Sequence, residues 1–280
     1  MPALALNDVI KNVRDLPSLP VVVMELLDIV DQEDADIGSL AQKVSQDQSL
    51  TAKTLQLANS SYFATRIKVT TIRQAITLLG FQNVRTLITT AALAGCFPER
   101  ACEGFDHKLF MHHSTTTAMA ASVLARHLGI NADYAFTAAL LHDIGRLVLV
   151  TSFPNEYAAA VAYRIEHACS MREAEIEIFG IDHARAGELL AIHWNFSDTI
   201  RFAIAYHHEP DHTGAGFLAA IVHIANAIVH QLASSEEGRE LPASVSQTAW
   251  DALNLDDETY TRICHETQQG IDKVRALVTD

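Results

Sequence analysis

Leu140-Leu141-His142-Asp143-Ile144-Gly145-Arg146 sets an imidazole beside a carboxylate where an apolar run meets a glycine. A helix ending there would turn both side chains into the fold. A neutral imidazole next to a carboxylate is a ready pair for a hard or borderline divalent cation. Alone, the doublet equally describes a helix terminus at which the acid orients the imidazole. Four further histidines, His113, His183, His207 and His208, lie to either side of it. Each by itself fits a core, cap or surface position. As a set they predict one site assembled from distant parts of the chain.

On both sides of the doublet the chain is punctuated as helices. Upstream, a long helix is predicted from about Phe105 to Leu128, ending at Gly129. Downstream, helices are expected over 133–143, 155–168, 182–193, 198–207, 215–233 and 256–277. In the first third, Val22, Leu26, Leu27 and Val30 form a helical stripe. Asp36 can cap a helix carrying Ile37, Leu40, Ala41 and Val44, and Asp47 or Ser49 can cap the next. Thr71 opens another that Gly80 closes, and Val84, Leu87, Ile88 and Ala91 mark one more. No alternating run bounded by hairpin turns stands out. The fold expected is all-α.

The stretch Phe97 to Gly104 breaks the periodicity, and so does Ser234 to Glu240. These breaks predict an N-terminal helical lobe over 1–100, a helical core with the candidate site over 101–235, and a helical tail over 236–280.

At 280 residues, 49% of them apolar, the chain can bury a large core. Its 7 prolines and 12 glycines are few, which favours a helical globule over disorder. The 14 histidines are the compositional outlier. A formal charge of −14 argues against general nucleic-acid binding, because a polyanion needs a positive surface. A single phosphate held through a metal is compatible with that charge. Cys96, Cys102, Cys169 and Cys264 form no C-x-x-C pair. Reduced thiols in a cytoplasmic protein are the expectation. No secretory leader and no membrane span is expected: the apolar stretch Leu218 to Leu232 is short and carries His223, Asn226 and His230.

The first third also carries an ordered set of motifs: Leu16-Pro17-Ser18-Leu19-Pro20, Asp47-Gln48-Ser49-Leu50-Thr51, Leu57-Ala58-Asn59-Ser60-Ser61-Tyr62-Phe63 and Ile72-Arg73-Gln74-Ala75-Ile76-Thr77-Leu78-Leu79-Gly80. This set resembles the front of HDOD domains, the helical relatives of HD phosphohydrolases. The likeness continues to residue 233. The resemblance implies a multi-helical HD-type core preceded by an HDOD lobe. His113-Ser114 resembles the first ligand motif of the HD superfamily, and His142-Asp143-Ile144-Gly145-Arg146 its signature doublet. His183, ahead of Gly187, and Ala205-Tyr206-His207-His208-Glu209 resemble further ligand motifs of the HD-GYP branch.

By that resemblance these residues would surround one or two divalent ions, with Asp143 as the bridging carboxylate. Iron, manganese, zinc, nickel and magnesium all fit the description, with iron or manganese favoured. Asn226 stands where catalytic relatives carry a ligand aspartate. An amide oxygen is a poorer ligand and no base. Arg146 replaces the lysine usual in that branch and could contact phosphate. Asp143 and Arg146 are the candidates for a part in chemistry. The loop Pro210 to Gly216 lacks the Gly-Tyr-Pro signature, which argues against cyclic di-GMP hydrolysis.

Two functions follow from the resemblance. One is a regulatory module that works through signalling protein partners, with a retained metal site and little or no catalysis. The other is a metal-dependent phosphohydrolase acting on a nucleotide or other phosphoester. Asn226, the missing signature and the intact front half favour the first.

Overall fold

The computed structural model describes residues 6–16, 19, 23–24, 37–59, 68–97, 102–233 and 245–279. The expected stripe Val22–Val30, the Asp36 cap, the Ser60–Phe63 turn and the loop Ser234–Glu240 lie outside the described residues, in whole or nearly so. The described residues are helices and loops, with no strand among them. Two compact units divide the chain. One comprises Met1–Leu16 and Glu99–Thr267, the other Pro17–Pro98 and Gln268–Asp280.

The elements follow in chain order. Helix α1 (Leu6–Asp15) belongs to the first unit. Among the described residues, four helices then lie in the second: α2 (Ile37–Gln46), α3 (Gln48–Ala58), α4 (Ile72–Leu79) and α5 (Phe81–Cys96). Their starts follow the sequence signals. Asp47 accepts a hydrogen bond from the Leu50 N–H, and Thr71 accepts from the Gln74 N–H. Asn59 pairs with Val69: its side-chain amide donates to the Val69 carbonyl and its oxygen accepts from the Val69 N–H, both at 2.7 Å. That pairing gives the asparagine of the Leu57–Phe63 motif a structural job.

The first unit continues with α6 (His107–His127), α7 (Ala132–Leu141), α8 (Ile144–Ser152), α9 (Pro154–His167), α10 (Met171–Phe179), α11 (His183–His193), α12 (Asp198–Tyr206), α13 (Gly216–Ala233) and α14 (Gln247–Ala252), and α15 (Asp257–Thr279) follows. Asp106, Asn131, Ser170, Asp182, Ser197 and Ser246 cap their helices through side-chain oxygens. Helix α13 is buried on nearly every side from Leu218 to Val229, the pattern of a central helix. It packs on α6, α7 and α12, while α8 packs on α11. The stretch Ala132–Ser152 is long and apolar enough to cross a membrane, and 83% of its most apolar window is buried within the protein.

Four helices escaped the sequence reading: α1, α8, α10 and α14. The reading of 133–143 as one helix is corrected at its end. Helix α7 stops at Leu141, and α8 starts at Ile144 after a turn of two residues. His142 and Asp143 form the joint. Gly145 lies inside the first turn of α8 instead of ending a helix.

Candidate metal centre

Helices of the first unit from α6 to α13 deliver the side chains. His113 comes from α6. His142 and Asp143 occupy the α7–α8 joint, and Arg146 lies one turn into α8. His183 is the first residue of α11, and His207 and His208 follow the end of α12. Asn226 sits on α13. His142, Asp143, His183, His207 and Asn226 are buried, whereas His113, Arg146 and His208 are half-buried.

Asp143 is the centre of the cluster. Its Oδ1 lies 3.3 Å from His142 Nε2, 3.3 Å from His183 Nε2 and 3.4 Å from His207 Nε2. Its Oδ2 lies 3.2 Å from Arg146 Nε and 4.0 Å from His113 Nε2. His208 Nε2 is 2.8 Å from His183 Nε2. The ligand atoms of Asp143, His183, His207 and His208 all lie within 4.8 Å of one another, as do those of His113, His142 and Asp143.

Two glycines permit this approach. A Cβ on Gly145 would sit 1.9 Å from the His183 carbonyl oxygen and 2.5 Å from the Gly187 nitrogen. A Cβ on Gly187 would meet the Ile204 side chain at 2.7 Å. Helices α8 and α11 therefore touch backbone to backbone, which carries His183 up to Asp143.

The imidazoles are fixed by what lies behind them. His142 Nδ1 faces the Ala139 carbonyl at 2.7 Å, and His207 Nδ1 faces the Ile204 carbonyl at 2.8 Å. A carbonyl only accepts, so each Nδ1 carries the proton and donates. Burial pushes the His142 pKa well below its ordinary value, which leaves a bare lone pair on Nε2. That lone pair points at a carboxylate. Asp143 is ionised: burial works against it, but Arg146, His142 and His183 hold its carboxyl well below the usual range.

Two acceptors facing one another at 3.3 Å repel unless a cation lies between them. His142 Nε2, Asp143 Oδ1 and His207 Nε2 are all buried without a hydrogen-bond partner. Metal–nitrogen bonds of about 2.0–2.1 Å place neighbouring ligand atoms roughly 3 Å apart. The donor set and its spacing fit a divalent cation, and the cluster is one that can hold a metal ion.

Behind His183 stands a carboxylate that the sequence reading missed. Glu175 of α10 is fully buried and accepts from His183 Nδ1 at 2.5 Å and from the His183 N–H at 2.8 Å. Burial alone would push the His183 pKa down. Glu175 and Asp143 together outweigh it, and the pKa is pushed up to about 10. A signal was present: Glu175 shares a helical face with the buried Met171 and Phe179, four residues to either side. His230, which the sequence did not single out as a site residue, has its ring centroid 5.0 Å from that of His113.

Asn226 lies on the inner face of α13 between two such contacts. Three residues before it, His223 Nδ1 bonds the His207 carbonyl at 2.8 Å, and four residues after it stands His230. This spacing turns Asn226 toward the cluster, where its Oδ1 is buried without a hydrogen-bond partner. His193 lies elsewhere, its Nε2 3.4 Å from the Leu16 carbonyl.

The HDOD domain family model matches residues 16–210, well over half of the chain. The chain belongs to the HDOD family. Solved structures agree with that placement. An HDOD domain protein of unknown function from Geobacter sulfurreducens is 25% identical, with a TM-score of 0.77 and 98% of each chain covered. A protein of Shewanella amazonensis SB2B, provisionally described as a phosphohydrolase, is 28% identical, with a TM-score of 0.71 and 97% of each chain covered. A protein of Treponema pallidum (strain Nichols), described as uncharacterized, is 23% identical over 240 residues. That match covers 84% of this chain and 46% of the relative, so the HDOD chain spans about half of that relative's length.

The loop that leaves the His/Asp cluster is tied back to it. Arg172 pairs with Asp182 at 2.6 Å and also with Glu209. Asp182 caps α11 immediately ahead of His183. Ser246 donates its N–H to His223 Nε2 and its hydroxyl to Asp211. A cleft of about 510 Å3 opens beside His208, lined by Glu209, Asp211, His212, His223 and Ser246.

Proposed function

We propose that this chain is a regulatory HDOD module in which a divalent cation braces the helical core, and that it acts through protein partners with little or no turnover. Asp143, His183, His207 and His208 would hold the cation, with His113, His142 and Asn226 at its margin. When bound, the cation would supply Lewis acidity and cross-link α7, α8, α11 and α12.

One observation carries the low-turnover reading: the carboxylates of the cluster are already committed. Asp143 Oδ1 faces three imidazoles and its Oδ2 faces Arg146. Glu175 is held by His183. Asn226 provides an amide where a carboxylate could take a proton from water. The carboxylates of the adjoining cleft are engaged as well, Glu209 with Arg172 and Asp211 with the Ser246 hydroxyl.

The alternative, hydrolysis of a nucleotide or other phosphoester, is favoured by the cleft beside His208 and by the provisional description of the Shewanella amazonensis protein. The test is a panel of nucleotides, cyclic dinucleotides and simple phosphoesters, assayed with protein of measured metal content. The proposal expects no turnover above that of the His142→Ala/Asp143→Ala double variant. Metal-dependent turnover lost in that variant would make the chain a phosphohydrolase.

A further inference from the structure

The two candidate ligand groups share Asp143 but differ in charge. The position formed by Asp143, His183, His207 and His208 draws on Asp143 Oδ1. It is also backed by a second carboxylate, because Glu175 reaches it through His183. The position formed by His113, His142 and Asp143 must draw on the other oxygen, Oδ2, if Asp143 is to bridge. That oxygen is in contact with the Arg146 guanidinium at 3.2 Å, and His113 stands back from it at 4.0 Å. His142 is backed by a carbonyl, that of Ala139, and not by a carboxylate. Asn226 contributes a neutral oxygen at most.

A second divalent ion would lie about 3.5–4 Å from the first. It would meet the repulsion of that ion and of a permanent guanidinium charge, with one shared carboxylate to offset both.

Resting on the metal reading given above, we propose that the chain holds a single divalent ion, at Asp143, His183, His207 and His208, and that the Arg146 guanidinium stands in for a second ion on Asp143 Oδ2. Arg146 then has a role distinct from phosphate contact. It neutralises the bridging oxygen and keeps the site mononuclear. Asn226 is its complement, since an aspartate there would supply the charge that a second cation needs.

The experiment is metal stoichiometry of the full chain after loading with excess Mn2+ and desalting, read by elemental analysis and by electron paramagnetic resonance. Wild type is expected to carry one Mn2+ per chain with the spectrum of an isolated ion. Arg146→Gln/Asn226→Asp is expected to carry two, with the spectrum of a coupled pair. Two ions in wild type would overturn the inference and leave the metal reading standing. One ion in a folded double variant would also overturn it, because Arg146 and Asn226 would then not set the count. No bound ion in wild type would remove the metal reading and this inference together. Should the double variant fail to fold, the wild-type count alone decides.

Discussion

Glu175 grips His183 at two points, accepting from its backbone N–H at 2.8 Å and from its ring Nδ1 at 2.5 Å, with both side chains wholly buried. The backbone contact fixes where α11 begins. The ring contact fixes which imidazole nitrogen faces Asp143. One carboxylate thus sets both the position and the orientation of a candidate ligand.

Replacing Glu175 with Gln keeps the shape and removes the charge. Metal affinity, measured by calorimetric titration, is expected to fall about 10–100-fold, as it does when a carboxylate behind a ligating imidazole is lost. Far-ultraviolet circular dichroism should remain that of wild type. Unchanged affinity in a folded variant would show that Glu175 does not act on the site.

Gly145→Ala tests the close crossing of α8 and α11. The added methyl would lie 1.9 Å from a carbonyl oxygen, so the backbones must part. Overpacking of this kind costs about 3 kcal/mol, and the separation draws His183 away from Asp143. Thermal unfolding should show a lower midpoint and metal analysis a lower content. A variant as stable as wild type would contradict the crossing.

Asp182 supplies a pH test. It accepts from the Arg185 N–H at 2.9 Å and pairs with Arg172 at 2.6 Å. Burial raises its pKa, but His183, Arg172 and the Arg185 N–H together hold the carboxyl below its ordinary 3.8. A carboxyl depressed in the folded state contributes stability above its unfolded pKa and loses it as pH falls through the folded value. Asn keeps the helix cap but loses the charge paired with Arg172, so denaturant unfolding of wild type and Asp182→Asn should show a gap, up to about 1 kcal/mol, that is constant near neutral pH. The gap should close below about pH 4. A gap that widens on acidification would count against the arrangement.

Metal removal should lower stability, because an ion that binds only the folded form stabilises it. At a free ion concentration one hundred times the dissociation constant, the gain is about 2.7 kcal/mol. Chelation should lower the thermal midpoint of wild type and leave that of His142→Ala/Asp143→Ala unmoved. Equal shifts in both would place the ion elsewhere.

The sequence told most where local chemistry is self-declaring. Asp47, Thr71 and Gly80 mark helix ends that the structure reproduces. The histidines that resembled HD ligands come together around Asp143. Less was legible where the cause is tertiary. A helix end at the His142-Asp143 doublet was legible, but the restart of α8 at Ile144 was not, because Gly145 reads locally as a break. Gly145 looked like a stop signal because its reason, the approach of α11, lies forty residues away. Glu175 was hidden in the charged sequence of α10, where only its register with Met171 and Phe179 sets it apart. His230 needed the packing of α13 on α6 to meet His113.

The central claim is that the Asp143 cluster is a metal centre. Elemental analysis of protein purified without added ions, and again after loading, tests it most directly against the His142→Ala/Asp143→Ala variant. The account predicts a divalent transition metal in wild type and loss of it in a folded double variant. A wild-type protein that takes up no metal, or a double variant that keeps the same amount, would contradict it.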